Sequence, residues 1–481
     1  MSKLFPLLAA GLAALAAASA ASAAVQARDA AGDATTPACT SPPPVHTYAW
    51  LHCYSPAQIR AAYGVDRLGL LGEGQTIVLV DSYGEPTGAQ DLQAFHDAFF
   101  PGLPDPNFTA VYPNGAPNYK NVGNGQSGSS GAEGWAGEAA LDIEWSYAIA
   151  PLAHIVLLGV PPAETEGVQG FPNLFKAISD AIDTYPAGTV FSMSFGVTEQ
   201  TFGGATNQPT KKFDAVFAKG VARGDTFFAS SGDEGSLGVS KQQRDSVYYG
   251  YPTDGWPASS PYVTAVGGTQ LQYGWTWDPQ SDVAFTPDGD YNPAYFQYTN
   301  DGAQNVVWNE SWCPCATGGG PSVLYPRPAW QTGVLPGAGN HRLVPDVAWN
   351  ASVNGGVLVY TSFFPQTDRV GWHVYGGTSA ASPQVAALTA LAVEKAGHPL
   401  GNINPAIYAN PSAFTDVVPV RQGSTSIISG DLGTNRMFDY NGDGLPVTWD
   451  PVAGWPVLGG YDMTTGWGTP NPPAYVAALS H

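Results

Sequence analysis

A glutamate and an aspartate four residues apart are the first pair with chemical potential: Glu138 and Asp142 in GEAALDIEWSYAIAP, residues 137–151. Leu141, Trp145 and Ala148 fall on one helical face and Pro151 stops the run, so the spacing predicts a helix with both carboxyls on one side, about a turn apart. Two carboxylates so close cannot both ionise cheaply; in mild acid they share a proton and titrate as a pair. A solvated helix edge would carry the same spacing, so the pair alone decides little.

In GGTSAASPQVAALTALAVEKAG, residues 376–397, two glycines precede Thr378-Ser379 and a nearly all-apolar helix follows, with Pro383 expected in its first turn. A serine at the mouth of a buried helix has its hydroxyl in the field of unpaired backbone N–H groups, and the glycines let a substrate carbonyl approach. A plain N-cap serine explains Ser379 but not Gly376-Gly377. In SSGDEG, residues 230–235, Asp233 follows a strand-like TFFAS. It either forms a turn or, kept neutral by burial or a neighbouring carboxylate, donates a hydrogen bond to an oxyanion.

The elements that must position these residues have a clear pattern. Apolar runs of strand length recur at TIVLV (76–80), HIVLLGV (154–160), TVFSMSF (189–195) and TFFAS (226–230), separated by helical spacing at 88–99 and 171–184. The alternation predicts an α/β fold, a mostly parallel central sheet with helices on both faces, whose strand ends carry Asp81, Ser194-Phe195-Gly196 and Ser231-Gly232-Asp233. Residues 270–340 are rich in turns and aromatics and are expected to be long surface excursions. No charged linker interrupts 54–481, which reads as one large domain.

Composition narrows the function. Of 481 residues, 18 are Lys or Arg and 39 Asp or Glu, giving a net charge of −21, so nucleic acid and acidic membranes are excluded as partners. Disorder is excluded by the 44% hydrophobic and 12% aromatic content. Lys3, the uncharged run from Leu4 to Ala24, and Ala21-Ser22-Ala23 together predict a signal peptide cleaved after Ala23, a membrane anchor being the alternative. The mature chain is then secreted, extracellular and off the membrane, beginning with a periodless tether over 24–53. Its four cysteines can oxidise there: Cys39 and Cys53 are expected to pair and Cys313 and Cys315 could close a small ring, although four cysteines allow three pairings.

EAALD, SSGDEG and GGTSAASP occur in this order, with VFSMSFG (190–196), WPASSPYVTAVGGT (256–269), VPDVAWNA (344–351) and YDMTTGWGTP (461–470) between and after them. From about Tyr54 onward the chain resembles the sedolisin family of serine-carboxyl peptidases. That resemblance implies a subtilisin-like fold and peptide hydrolysis in acid through an acyl-enzyme. Ser379 would be the nucleophile, Glu138 the general base, Asp142 its orienting partner and Asp233 the oxyanion donor. Glu138 must be ionised while Asp233 is protonated, which confines activity to an acidic window. A true subtilisin would use Asp81 with a histidine, but none of the eight histidines sits in a His-Gly-Thr context; Asp81 reads as an acid extending the Glu138/Asp142 network, and His96 as helical packing. A secreted peptide-binding or surface protein on the same scaffold is the alternative, and the presence of all four residues argues against it.

The resemblance also implies one calcium ion, with carboxylates from Asp416 and Asp462 and backbone carbonyls from Val417, Leu458 and Gly460. Independently, Asp439, Asn441, Asp443 and Asp450 in DYNGDGLPVTWD follow the EF-hand loop order and are a candidate second calcium site, with a solvated acidic turn as the other reading. Ser194, Phe195 and Gly196 resemble the family's substrate-pairing strand, and Gly319, within Gly318-Gly319-Gly320, is a candidate second edge. Unfolded polypeptide is the expected substrate, since strand addition uses main-chain hydrogen bonds that every peptide offers. A monomer is expected. Roughly 30 residues separate the predicted signal cleavage from Tyr54, too few for the folded pro-domain usual in the family, so folding unaided or maturation without autoprocessing is expected.

Overall fold

The computed structural model describes residues 24–26, 53–115, 129–160, 170–203, 210–241, 247–273, 276–277, 296–297, 304–310, 313, 315–353, 355–363, 370–419, 432–437, 439–441, 445–447 and 452–480. The predicted signal peptide, Cys39 and most of the predicted tether lie outside them.

Among the described residues eight strands form the central sheet: β1 (Thr76–Ser82), β2 (Phe108–Val111), β3 (His154–Val160), β4 (Val190–Met193), β5 (Thr226–Ser230), β6 (Val263–Gln272), β7 (Gln304–Val307) and β8 (Val347–Asn350). Their order is β7-β6-β5-β4-β1-β3-β2, with β8 also on β6. Every pairing is parallel except β6–β7. Strand β6 changes neighbour along its length: Val263–Val266 pair with β5, Val266–Thr269 with β8 and Thr269–Gln272 with β7.

The apolar runs are continuous because the sheet is buried on both faces. Ile77, Leu79, Ile155 and Leu157 face one core, and Val78, Val80, Val156 and Leu158 the other. Helices α1 (Gly88–Phe99), α2 (Ser129–Ile149), α5 (Thr378–Ala396) and α6 (Pro472–Leu479) cover the first face. The second is covered by α3 (Phe171–Thr184) and α4 (Lys211–Arg223), whose Phe171, Phe175, Phe213 and Phe217 cluster around Trp256.

Two expectations are corrected. Residues 304–310 and 315–326 are not surface excursions: β7 edges the central sheet, Trp308 is buried, and Gly320–Pro326 pairs antiparallel with His341–Val344. Residues 24–26, expected in a tether without structure, lie as a strand antiparallel to His373–Tyr375.

Candidate active site

Helix α2 does not lie at a solvated edge. Every residue from Trp135 to Ile149 is buried, because α2 is held between α1 and the strand Gly356–Thr361 on one side and β1, β3 and α5 on the other. Glu138 and Asp142 share one face; Glu144 belongs to another, where its Oε2 accepts the Tyr360 N–H at 2.9 Å. Beside it Glu85 and Asp91 are also buried, with Thr87 Oγ donating to Asp91 at 2.7 Å and Ser362 Oγ at 2.6 Å. Burial and these acidic neighbours push both Glu85 and Glu144 well above the ordinary carboxylate range.

The exit of β4 ties α2 to α5. Ser192 and Ser194 point to the same face, two residues apart. The Ser192 and Ser382 hydroxyls lie 3.0 Å apart, and Ser194 Oγ donates to Asp142 Oδ1 at 2.9 Å. Burial, then the charges of Asp81 and Glu138, raises the Asp142 pKa well above normal, with the Ser194 hydrogen bond opposing. Asp81 is fully buried and neither of its oxygens has a hydrogen-bond partner among the described residues; burial pushes it up to about 8. The charges of Asp81 and Glu138 thus both bear on the buried Asp142 carboxyl.

Ser379 is the second residue of α5, fully buried, behind Gly377 at φ 95°, a left-handed conformation that suits glycine. The helix begins at Thr378, so Pro383 falls in its second turn and not its first. Lacking an N–H, Pro383 cannot donate to the Ser379 carbonyl four residues earlier, which loosens the helix at that residue.

Asp233 approaches from β5. Its Oδ1 accepts both the Thr378 backbone N–H, at 2.8 Å, and the Thr378 hydroxyl, at 2.7 Å; that hydroxyl in turn accepts the Gly232 N–H at 3.1 Å. Burial raises the Asp233 pKa and the two Thr378 bonds restrain the rise. The neighbouring Glu234 is pushed up to about 7 by burial and by Asp233. With Oδ1 occupied as a double acceptor, a proton on Asp233 belongs on Oδ2 and can be donated onward. Along α5, Ser379 follows Thr378, which is bonded to Asp233, and precedes Ser382, whose hydroxyl meets that of Ser192.

A cleft opens beside Gly232. It is lined by Gly196, Gly319, Glu234, Leu237, Asp254 and Trp256, among others. Gly196 and Gly319 are where the sequence placed substrate, whereas Ser194 is buried and spends its hydroxyl on Asp142. Glu234, Asp254 and the role of Thr378 were not anticipated. Trp256 stood in the quoted WPASSP motif, and nothing in its spacing pointed to a cleft.

Two of the predicted calcium ligands, Asp416 and Asp462, are bonded to one turn. Gly460 N–H donates to Asp416 Oδ2 at 2.7 Å, and Leu458 N–H donates to Asp462 Oδ2 at 2.9 Å, so both carboxylates meet the same turn. Two carboxylates and backbone carbonyls form the all-oxygen donor set that a hard divalent cation requires. Of the second candidate, Asp439–Asn441 pairs antiparallel with Leu445–Val447 as a hairpin, and Asp443 and Asp450 lie outside the described residues. Glu310, Cys313 and Cys315 bring ligand atoms within 4.8 Å of one another, but the two sulfurs are bonded together and offer no thiolate. Cys53 is disulfide-bonded as well.

Residues 123–407 match the subtilase family. Kumamolisin of Bacillus sp. (strain MN-32) is 31% identical over 83% of this chain and 61% of its own length. Sedolisin of Pseudomonas sp. (strain 101) is 33% identical over 53% of this chain and 35% of its length. The chain thus spans less than two thirds of these relatives. The solved structure of Pseudomonas sedolisin (serine-carboxyl proteinase) complexed with two molecules of pseudo-iodotyrostatin superposes with a TM-score of 0.63 at 25% identity, covering 90% of this chain and all of that one. With its mostly parallel sheet and these likenesses, the chain belongs to the subtilase family, in its sedolisin, or serine-carboxyl peptidase, branch.

Proposed function

We propose that this chain is a secreted endopeptidase that hydrolyses unfolded polypeptides in acid, with Ser379 as nucleophile, Glu138 as general base, Asp142 as its partner and Asp233 as oxyanion donor. Ionised Glu138 takes the Ser379 proton as the oxygen attacks the peptide carbonyl. Asp233, neutral, donates from Oδ2 to the oxygen that becomes negative, while Thr378 holds Oδ1. Glu138 then returns the proton to the departing amine, leaving an acyl-enzyme that water clears by the same route. Burial of Asp142 and Asp81 beside Glu138 makes it costly for all three to be charged together, so the single charge needed for base catalysis suits an acidic medium.

The observation that most supports this reading is the Asp233–Thr378 pair, which sets a carboxyl of raised pKa against the residue before the serine. The polypeptide chain enters along Gly196 and Gly319, and its side chain next to the scissile bond fills the cleft floored by Trp256. One calcium ion held by Asp416, Asp462 and the carbonyls of Val417, Leu458 and Gly460 would stiffen the C-terminal turn; it supplies no chemistry to the reaction. Export rests on the Ala21-Ser22-Ala23 cleavage signal, and the mature protein works as a monomer.

The test is cleavage of denatured casein at about pH 4, where a glutamate is partly ionised, by the wild type and by Ser379→Ala. Cleavage by the wild type alone supports the reading. Absence of cleavage by either returns the chain to a peptide-binding role on a peptidase scaffold.

A further inference from the structure

Cys313 and Cys315 are bonded to each other, two residues apart, where Asn309–Glu310 pairs antiparallel with Cys315–Ala316. The chain leaving this ring runs beside the Asp233 loop. Ala316 N–H donates to the Asp233 carbonyl at 2.8 Å, Gly235 N–H to the Ala316 carbonyl at 2.9 Å, and Gly318 N–H to the Gly232 carbonyl at 2.8 Å. Ser231 Oγ adds a bond to the Gly318 carbonyl at 2.7 Å. The fit leaves no slack, since a Cβ on Gly318 would fall 2.2 Å from the Ser231 carbonyl oxygen.

The chain entering the ring is anchored to the other half of the site. Glu310 is buried, and its Oε2 accepts Trp308 Nε1–H and the Val353 N–H, each at 2.8 Å. Two residues before Val353, the Ala351 carbonyl accepts the Gly377 N–H at 2.6 Å, and Gly377 leads directly into Thr378-Ser379. Cys313 Sγ itself lies 3.7 Å from the Glu310 carbonyl. The ring therefore joins two rails, one bonded to both sides of Asp233 and one bonded to the turn before Ser379.

We propose that the Cys313–Cys315 disulfide is a positioning device for the reaction, holding the Asp233 loop and the Ser379 turn in register, and that its reduction lowers turnover without unfolding the protein. The inference rests on the peptidase reading. Opening the bond takes two electrons and two protons, breaks the S–S bond and forms two S–H bonds. A phosphine reductant balances it by becoming the phosphine oxide with an oxygen from water, and it acts in acid, where thiolate exchange is slow.

Steady-state kinetics on a fluorogenic peptide, with hydrogen exchange on the same samples, test this on the wild type, on the wild type treated with a phosphine, and on the Cys313→Ala/Cys315→Ala double variant. For the double variant, kcat falls about tenfold or more with KM nearly unchanged, the alkaline limb of its kcat profile moves, and the midpoint of thermal unfolding stays within a few degrees. Amides of Ala316, Gly235 and Gly318 exchange faster while those of β1 and β3 do not. A double variant with wild-type kcat, alkaline limb and amide protection overturns the proposal, as does a loss of kcat that only tracks loss of folded protein. Any phosphine effect that persists in the double variant belongs to the disulfide of Cys53. A wild type without activity, in which the ring still protects these amides, counts against the peptidase reading and leaves the bracing role standing.

Discussion

Thr378 gives two hydrogen bonds to one oxygen of Asp233, from its backbone N–H at 2.8 Å and its hydroxyl at 2.7 Å. The residue next to Ser379, the proposed nucleophile, thereby holds one particular oxygen of the acid. Both bonds favour the ionised form of Asp233, against the burial that disfavours it.

Replacing Thr378 with valine keeps the shape and removes one of the two donors. Losing a donor that favours the carboxylate raises the Asp233 pKa further, so the alkaline limb of activity moves to higher pH. The lost alignment lowers kcat by about tenfold. Thr378→Ser retains both quantities. A pH–rate profile of the two variants checks the sign; a valine variant whose limb moves toward acid would contradict the assignment of Asp233 as donor.

Glu138→Gln removes the proposed base but keeps the volume. Activity drops by about a thousandfold or more while thermal stability in acid is unchanged or improved, because one member of a crowded carboxyl group is gone. Peptide turnover and differential scanning calorimetry on the same preparation measure both.

Stability should decline as pH rises. Asp81, Glu85, Asp142, Glu144 and Asp254 are buried with pKa values raised above those of the unfolded chain, Asp81 to about 8. Such groups contribute their full stabilisation below the unfolded values, near ~4, and lose it as pH climbs through the folded values. The melting temperature is expected to be highest at about pH 3 to 4 and to fall by more than about 10 °C by pH 8. Glu85→Gln with Glu144→Gln flattens that slope, since the amides cannot ionise. Melting curves across pH that rise toward neutrality would refute the sign.

Removal of calcium should soften the C-terminal turn. A chelator at about pH 6 lowers the melting temperature by several degrees, and Asp462→Asn makes the protein indifferent to added calcium. Titration calorimetry with calcium on wild type and variant reads the site directly; equal heats from both would remove Asp462 from the ligand set.

Much of the scaffold could be read from the chain because burial on both faces writes unbroken apolar runs. His154–Val160 and Thr226–Ser230 are strands with the expected bounds, and Gly88–Phe99 and Phe171–Thr184 are helices with the expected bounds. His96 packs as anticipated, its Nδ1 2.6 Å from Tyr147 Oη. What escaped sequence reasoning depends on contacts between distant segments. Thr378 and Asp233 are 145 positions apart, and Ser194 and Asp142 are 52 apart, so no local pattern marks either pair. The amphipathic face read into 137–151 was real as a period, but a second layer covers the side that the pattern left polar. Cys313 with Cys315 belonged to one of three possible pairings, and it is bonded in the structure beside the pairing of Asn309–Glu310 with Cys315–Ala316.

Because α2 is enclosed on every flank, it has no tolerant side on which to absorb change. A single residue inserted after Trp135 would turn the rest of the helix by about 100° and carry the acid pair into apolar packing. Evolution of new preferences at the proposed substrate cleft must therefore proceed through its walls at Gly196, Leu237 and Asp254, while the helix bearing the proposed proton carriers stays frozen in length.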